Sequence, residues 1–231
     1  PRRETDAPVN DLHELIPLAV GMSLSPLPIV AIVAIVLAPR GRSSAPAFTA
    51  SFTLVSLVPI AIGAIASAHV SAATSGSRVV SLVVSILVAA GFAVFAALSW
   101  RSRPRNGEPA VAPRWLAAID AVTPARAAGL GVVMAAVNSK NVPLGLKGGA
   151  LIGEAHLPVW GTAALCLVLA LVASSLLIVP ALVELGGSPR VRSALQGLKG
   201  QLIAHNAAMM TVVFALLAAD EVAQIVHRLT S

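Results

Sequence analysis

Asn138-Ser139-Lys140-Asn141-Val142-Pro143 stands near the middle of an apolar run, residues 127–152, that otherwise reads as a membrane-spanning helix. A lysine held at bilayer depth costs roughly 2.5–3.5 kcal/mol on insertion scales, so it must be paired or face a polar cavity. Pro143 has no backbone N–H to donate and leaves a carbonyl one turn back in need of a partner. The stretch therefore predicts a broken helix lining a site inside the membrane.

Composition carries the same message outward. Of the 231 residues, 57% are hydrophobic and only 11% charged, against about a quarter charged in soluble domains. The mean hydropathy is +0.86. The apolar runs are continuous rather than alternating, which points to helices and not to a transmembrane barrel. The net charge of +6 comes from arginines in short connections, and Tyr is absent, so there is neither a basic domain nor an aromatic platform for nucleic acid. Cys166 is the single cysteine and lies in an apolar run, where a small buried residue is the expected role.

In chain order, residues 1–14 form a polar arm of mixed charge, expected to be exposed, without the pattern of a cleaved signal peptide. Six spans follow, at about residues 15–38, 45–68, 79–100, 127–152, 159–182 and 201–219. The first is interrupted by Ser25-Pro26-Leu27-Pro28 and the second carries Pro59 as a kink. Residues 101–123 make a basic cytoplasmic loop in which 115–121 form a brief interfacial helix. Residues 184–200 make a second basic connection, and an amphipathic tail closes the chain. Arginine and lysine concentrate after the first, third and fifth spans, which places both termini outside the cytoplasm of a plasma-membrane protein.

The broken spans are the first and the fourth, and each opens a group of three. An odd number of spans per group forces the groups into opposite orientations, and matching breaks in inverted halves point to a transporter site at the midplane. The expected architecture is all-α, with two inverted three-helix repeats over 15–100 and 124–231 joined by the 101–123 loop. In it Ser25, Pro26 and Pro28 face Asn138, Ser139, Lys140, Asn141 and Pro143 across a pseudo-twofold axis, as the substrate-binding set.

Each of these residues also has a plainer role. Lys140 would otherwise snorkel to the interface, a long reach from mid-span. Asn138 and Asn141 serve equally well as hydrogen-bonding glue between helices. Lys147 lies nearer the surface and is expected to snorkel, while Asp220 and Glu221 are expected to be solvated at the outer interface. His205 and Asn206 suit a structural hydrogen bond somewhat better than proton shuttling or gating. No cluster has metal-ligand spacing, and no nucleophile–base pair or phosphate loop occurs, so no metal, cofactor or enzyme activity is expected.

Residues 18–36 with the Ser-Pro-Leu-Pro core, the Asn-Ser-Lys-Asn segment, and 200–206 (Gly-Gln-Leu-Ile-Ala-His-Asn) resemble, in order and spacing, the actinobacterial glycolipid-addressing family. That family is called GAP, or Sap for its sulfolipid-1-addressing member, and is grouped with the lysine-exporter superfamily. The resemblance implies six spans and a role in moving cell-envelope lipids toward the surface. It carries over Pro26, Pro28, Asn138, Lys140, Asn141, His205 and Asn206 as matching positions. The chain departs from the superfamily's frequent Asn-Pro-Lys by placing Ser139 there, with proline displaced to Pro143.

The expectation is thus a transporter or flippase-like protein for an amphipathic, anionic lipid or glycolipid, with membrane lipids as partners and homo-oligomers compatible. The alternatives are an amino acid or cation exporter with a sealed polar cavity, and a scaffold for lipid-synthesis or export machinery. A lateral opening between spans separates the first from the second.

Overall fold

The computed structural model describes residues 14–70, 77–103, 116, 119, 121–184 and 189–230. The expected arm over 1–14 lies outside these but for Glu14, as do most of the 101–123 loop and its interfacial helix. Among the described residues there are nine helices and no strand. They are α1 (Leu15–Ser23), α2 (Pro26–Leu37), α3 (Gly41–Val70), α4 (Ser77–Arg101), α5 (Pro124–Ala136), α6 (Asn141–Glu154), α7 (Val159–Ala173), α8 (Ser175–Glu184) and α9 (Pro189–Thr230).

Two helices are by themselves long and apolar enough to cross a membrane, α3 and α9. Two bent pairs bring the number to four if each pair is one span, α1–α2 bent by 54° and α7–α8 bent by 65°. Large apolar side chains such as Leu54, Ile65, Leu87, Trp160 and Leu216 stand exposed on the outside. That distribution, costly in water, is the one a hydrocarbon solvent requires.

The prolines explain where the helices start. Pro26 and Pro28 fall in the first turn of α2, and Pro143 in the first turn of α6, where a missing N–H costs nothing. Helix breaks are therefore present where the sequence predicts them, at Leu24–Ser25 and at 137–140. A third break, at Ser174, interrupts the run 159–182, which the sequence reading takes as unbroken. The helix turns there without any proline: the Ser174 N–H closes α7 on the carbonyls of Ala170 and Leu171 while its own carbonyl opens α8. The second correction concerns the basic connection at 184–200, which is helical from Pro189 onward as the start of α9. Pro59 lies within α3, which continues through it as one helix.

α2 is the hub. Pro26, Pro28 and every residue from Ile29 to Val36 are buried, so the helix is apolar all round and packs on α3, α8 and α9. α3 lies along both α5 and α6, α1 along α7, α2 along α8, and α4 along α9. The α3–α6 contact is unusually close, because Gly145, Gly149 and Gly153 recur every four residues along one face. A Cβ on Gly149 would stand 1.9 Å from the Ile60 carbonyl oxygen, and one on Gly153 2.3 Å from that of Ala64. Serines of α3 stitch it to both neighbours: Ser51 Oγ donates to Ala128 O of α5 and Ser67 Oγ to Ala150 O of α6, both at 2.9 Å.

Candidate functional site

The break between α1 and α2 leaves two carbonyls without their helical donors. Pro26 has no N–H for Met22 O, and the Ser25 N–H turns instead to Ser23 O at 2.8 Å, which releases Gly21 O. Both point out of the C-terminus of α1, where the aligned peptide dipoles favour a cation. Lys140 supplies it. Its Nζ donates to Gly21 O at 2.6 Å and to Met22 O at 3.1 Å, and a third proton goes to Asn141 Oδ1 at 2.9 Å. An ammonium has three protons and all three are used, in a side chain with no exposed surface.

The second break answers the first from the other side. α5 ends at Ala136, and Asn138 O then accepts the N–H groups of Asn141 and Val142 to start α6. Asn138 Nδ2 donates to Ser25 Oγ at 3.1 Å, and Ser25 Oγ in turn donates to Met22 O at 3.2 Å. Ser25, Asn138, Lys140 and Asn141 thus form one connected polar knot joining the two breaks. Pro26 and Pro28 flank it as buried first-turn residues of α2; Ser139 lies in the turn between α5 and α6.

His205 and Asn206 are elsewhere. His205 is exposed on α9, its Nδ1 3.0 Å from Gln201 O one turn back, and none of its contacts reaches the knot. Asn206, on the same helix, keeps a buried Oδ1 without a hydrogen-bond partner.

Lys147 does not snorkel to water, and Glu221 is not solvated. They form an ion pair at 2.5 Å between α6 and α9, with Glu221 only 4% exposed and Asp220 at 4.0 Å from the same ammonium. Seventy-four residues separate the two, so nothing in the local sequence announces the pairing. Removing Glu221 leaves the partly exposed Lys147 with only Asp220 at 4.0 Å, at a cost of about 1–3 kcal/mol. Glu221→Leu should therefore lower the detergent unfolding temperature markedly, and the swap Lys147→Glu with Glu221→Lys should restore most of it. An unchanged midpoint in the single variant would show the pair to be dispensable.

Next to the second break lies a groove of about 450 Å³ between α3, α5 and α6. Its walls are Val55, Val58, Pro59, Ile62, Ala135, Ala136, Val142 and Leu146, with Ser56 and Asn141 the polar residues among them. Val58 and Ile62 are each 53% exposed, so the groove opens sideways between the helices, through an apolar rim. Sequence reasoning named Asn141 but missed Ser56, an isolated serine in an apolar helix that carries no local signal. Among the described residues no group of His, Cys, Asp or Glu has the makings of a metal site.

No curated protein and no solved structure matches the chain. The family model for Sap, sulfolipid-1-addressing protein, matches residues 15–226. With its two facing helix breaks and lipid-exposed apolar surface, the chain belongs to the Sap family of sulfolipid-1-addressing membrane proteins.

Proposed function

We propose that the protein moves an amphipathic envelope lipid, of the sulfated or glycosylated kind the family's name points to, across or out of the plasma membrane. The observation that carries this reading is the sideways opening of the groove beside the second break. A hydrocarbon rim open to the bilayer suits an acyl chain entering from the membrane, whereas a free amino acid or metal cation needs an enclosed polar shell.

The packing supports the architecture on which such movement depends, six spans in two inverted halves; the arginine-rich connections are what favours both termini outside the cytoplasm. The second span (α3) lies along the fourth (α5–α6), and the fifth (α7–α8) lies along the first (α1–α2). This reciprocal exchange is what a pseudo-twofold axis between inverted halves produces. Lys140 and Asn138 then act as the clasp between halves at the midplane. An anionic headgroup reaches Lys140 only by replacing the carbonyls of Gly21 and Met22, so binding and release of the clasp are the same event. With no nucleotide-binding motif in the sequence, the driving force is an ion gradient, a partner or the lipid's own gradient.

The test is to fill the groove. Val58→Trp places an indole at its mouth, where Val58 is exposed; of the polar knot only Asn141 lines the groove, while Ser25, Asn138 and Lys140 do not. Native mass spectrometry of the purified protein should find one lipid class enriched over bulk membrane lipid, and at least tenfold less of it on the Val58→Trp variant. Bulk lipid alone, equal on both proteins, would remove the case for lipid movement and favour the solute exporter.

A further inference from the structure

We infer that Asn141 and Ser56 form a carbonyl reader in the wall of this groove, one that holds a lipid by the acyl ester where head and tail meet. The inference rests on the lipid reading above and names which part of the lipid the groove recognises. Both residues line the groove, and both are more than nine-tenths buried, Asn141 at 3% and Ser56 at 4% exposure. Yet Asn141 Nδ2 and Ser56 Oγ have no hydrogen-bond partner. Buried polar groups are nearly always paired, so two unpaired groups on one groove call for a missing partner.

Ser56 and Thr49 differ from the other hydroxyls of α3 in having no partner, and of the two only Ser56 lines the groove. A hydroxyl in a helix can always turn back to a carbonyl one turn earlier. Ser51, Thr53 and Ser67 on the same helix all do so, to Phe48 O, Thr49 O and Ala64 O. Ser56 does not. The amide of Asn141 is held by its other end, because Oδ1 accepts from Lys140 Nζ at 2.9 Å. What remains is the NH₂ group, which can only donate.

The chemistry of the occupant follows. It must bring an acceptor, which excludes an ammonium or a metal cation. No cationic side chain lines the groove, and Lys140 has already spent its three protons, so a bare sulfate or carboxylate would be stripped of water without a counter-charge. A neutral carbonyl carried between apolar segments satisfies both the donors and the walls.

The probes are phosphatidylglycerol with two ester-linked oleoyl chains and its ether-linked counterpart, which shares the headgroup and chain length but lacks both carbonyls. The full-length protein is offered an equimolar mixture in micelles, and bound lipid is counted by native mass spectrometry. Each recovered hydrogen bond corresponds to about a fivefold preference for the ester, so the two donors together give about 25-fold. Ser56→Ala and, separately, Asn141→Asp, which keeps the acceptor for Lys140 and loses the donor, should each lower the ratio to about fivefold, and the double variant should bring it to about one. A wild-type ratio of one, with lipid still lost on Val58→Trp, would overturn the carbonyl reader and leave lipid movement standing. Retention that Val58→Trp does not change would overturn both. A preference for the ester that both Ser56→Ala and Asn141→Asp leave undiminished would place the reader elsewhere.

Discussion

Gly149→Leu is expected to leave almost no folded protein in detergent. The seam between α3 and α6 has no room for even a methyl group at this point, since a Cβ would lie 1.9 Å from Ile60 O and 2.9 Å from the Ala64 nitrogen. Both are backbone atoms, so no side chain can swing away. The two helices would have to separate along a contact that Gly145, Gly153 and the Ser67 hydrogen bond also share. Overpacking a core by a methylene or two commonly costs about 1–3 kcal/mol, and an isobutyl group against backbone exceeds that range. Gly91→Ala is the control: its Cβ would meet nothing within 4 Å, and the gain in helix propensity should leave stability unchanged or slightly raised. Size-exclusion profiles of the two variants decide the matter. A monodisperse Gly149→Leu peak with the wild-type midpoint would mean that the helices do not approach this closely.

Lys140→Met should be the next most damaging change. It removes three hydrogen bonds and leaves Gly21 O and Met22 O at the end of α1 with no cation and no helical donor, although Ser25 Oγ still reaches Met22 O. Each buried acceptor left without a donor costs about 1–3 kcal/mol, and Gly21 O and Asn141 Oδ1 both lose theirs. Ser25→Ala, which removes the link to Asn138 and the hydroxyl's own bond to Met22 O but leaves the lysine in place, should cost about 1–2 kcal/mol. Thermal unfolding of both variants, beside their lipid content, separates two roles for the lysine. If Lys140→Met unfolds like wild type but retains no lipid, the ammonium serves a ligand and not the clasp.

How much of this could be read in advance depends on whether the signal is local. Pro26 and Pro28 mark the first break because proline can only open a helix or damage one, and Pro26 even identifies Met22 as the carbonyl left free. Asn138, Lys140 and Asn141 mark the second because polar side chains in hydrocarbon must find partners. The bend at Ser174 gave no such sign, since a serine is tolerated anywhere in a membrane helix by bonding to its own backbone. The Gly145, Gly149, Gly153 stripe, small residues at every fourth position, went unread beside the breaks, although such spacing marks a close helix contact. Lys147 with Glu221, and Ser56 with its groove, depend on which distant helix lies opposite, which local sequence does not specify.

The way α3 spans the second break has a mechanical consequence. One continuous helix runs beside both α5 and α6, pinned to them by glycines and serines on either side of residues 137–140. Those three helices behave as a splinted slab, and the break within it works as a socket and not as a hinge. The first break has no such splint. α1 rests on α7 and α2 on α8, and that backing pair is itself bent, by 65° at Ser174. Two jointed limbs lie knee to knee against a rigid plate, and the clasp of Lys140 crosses from the plate to the limbs at the height of one knee.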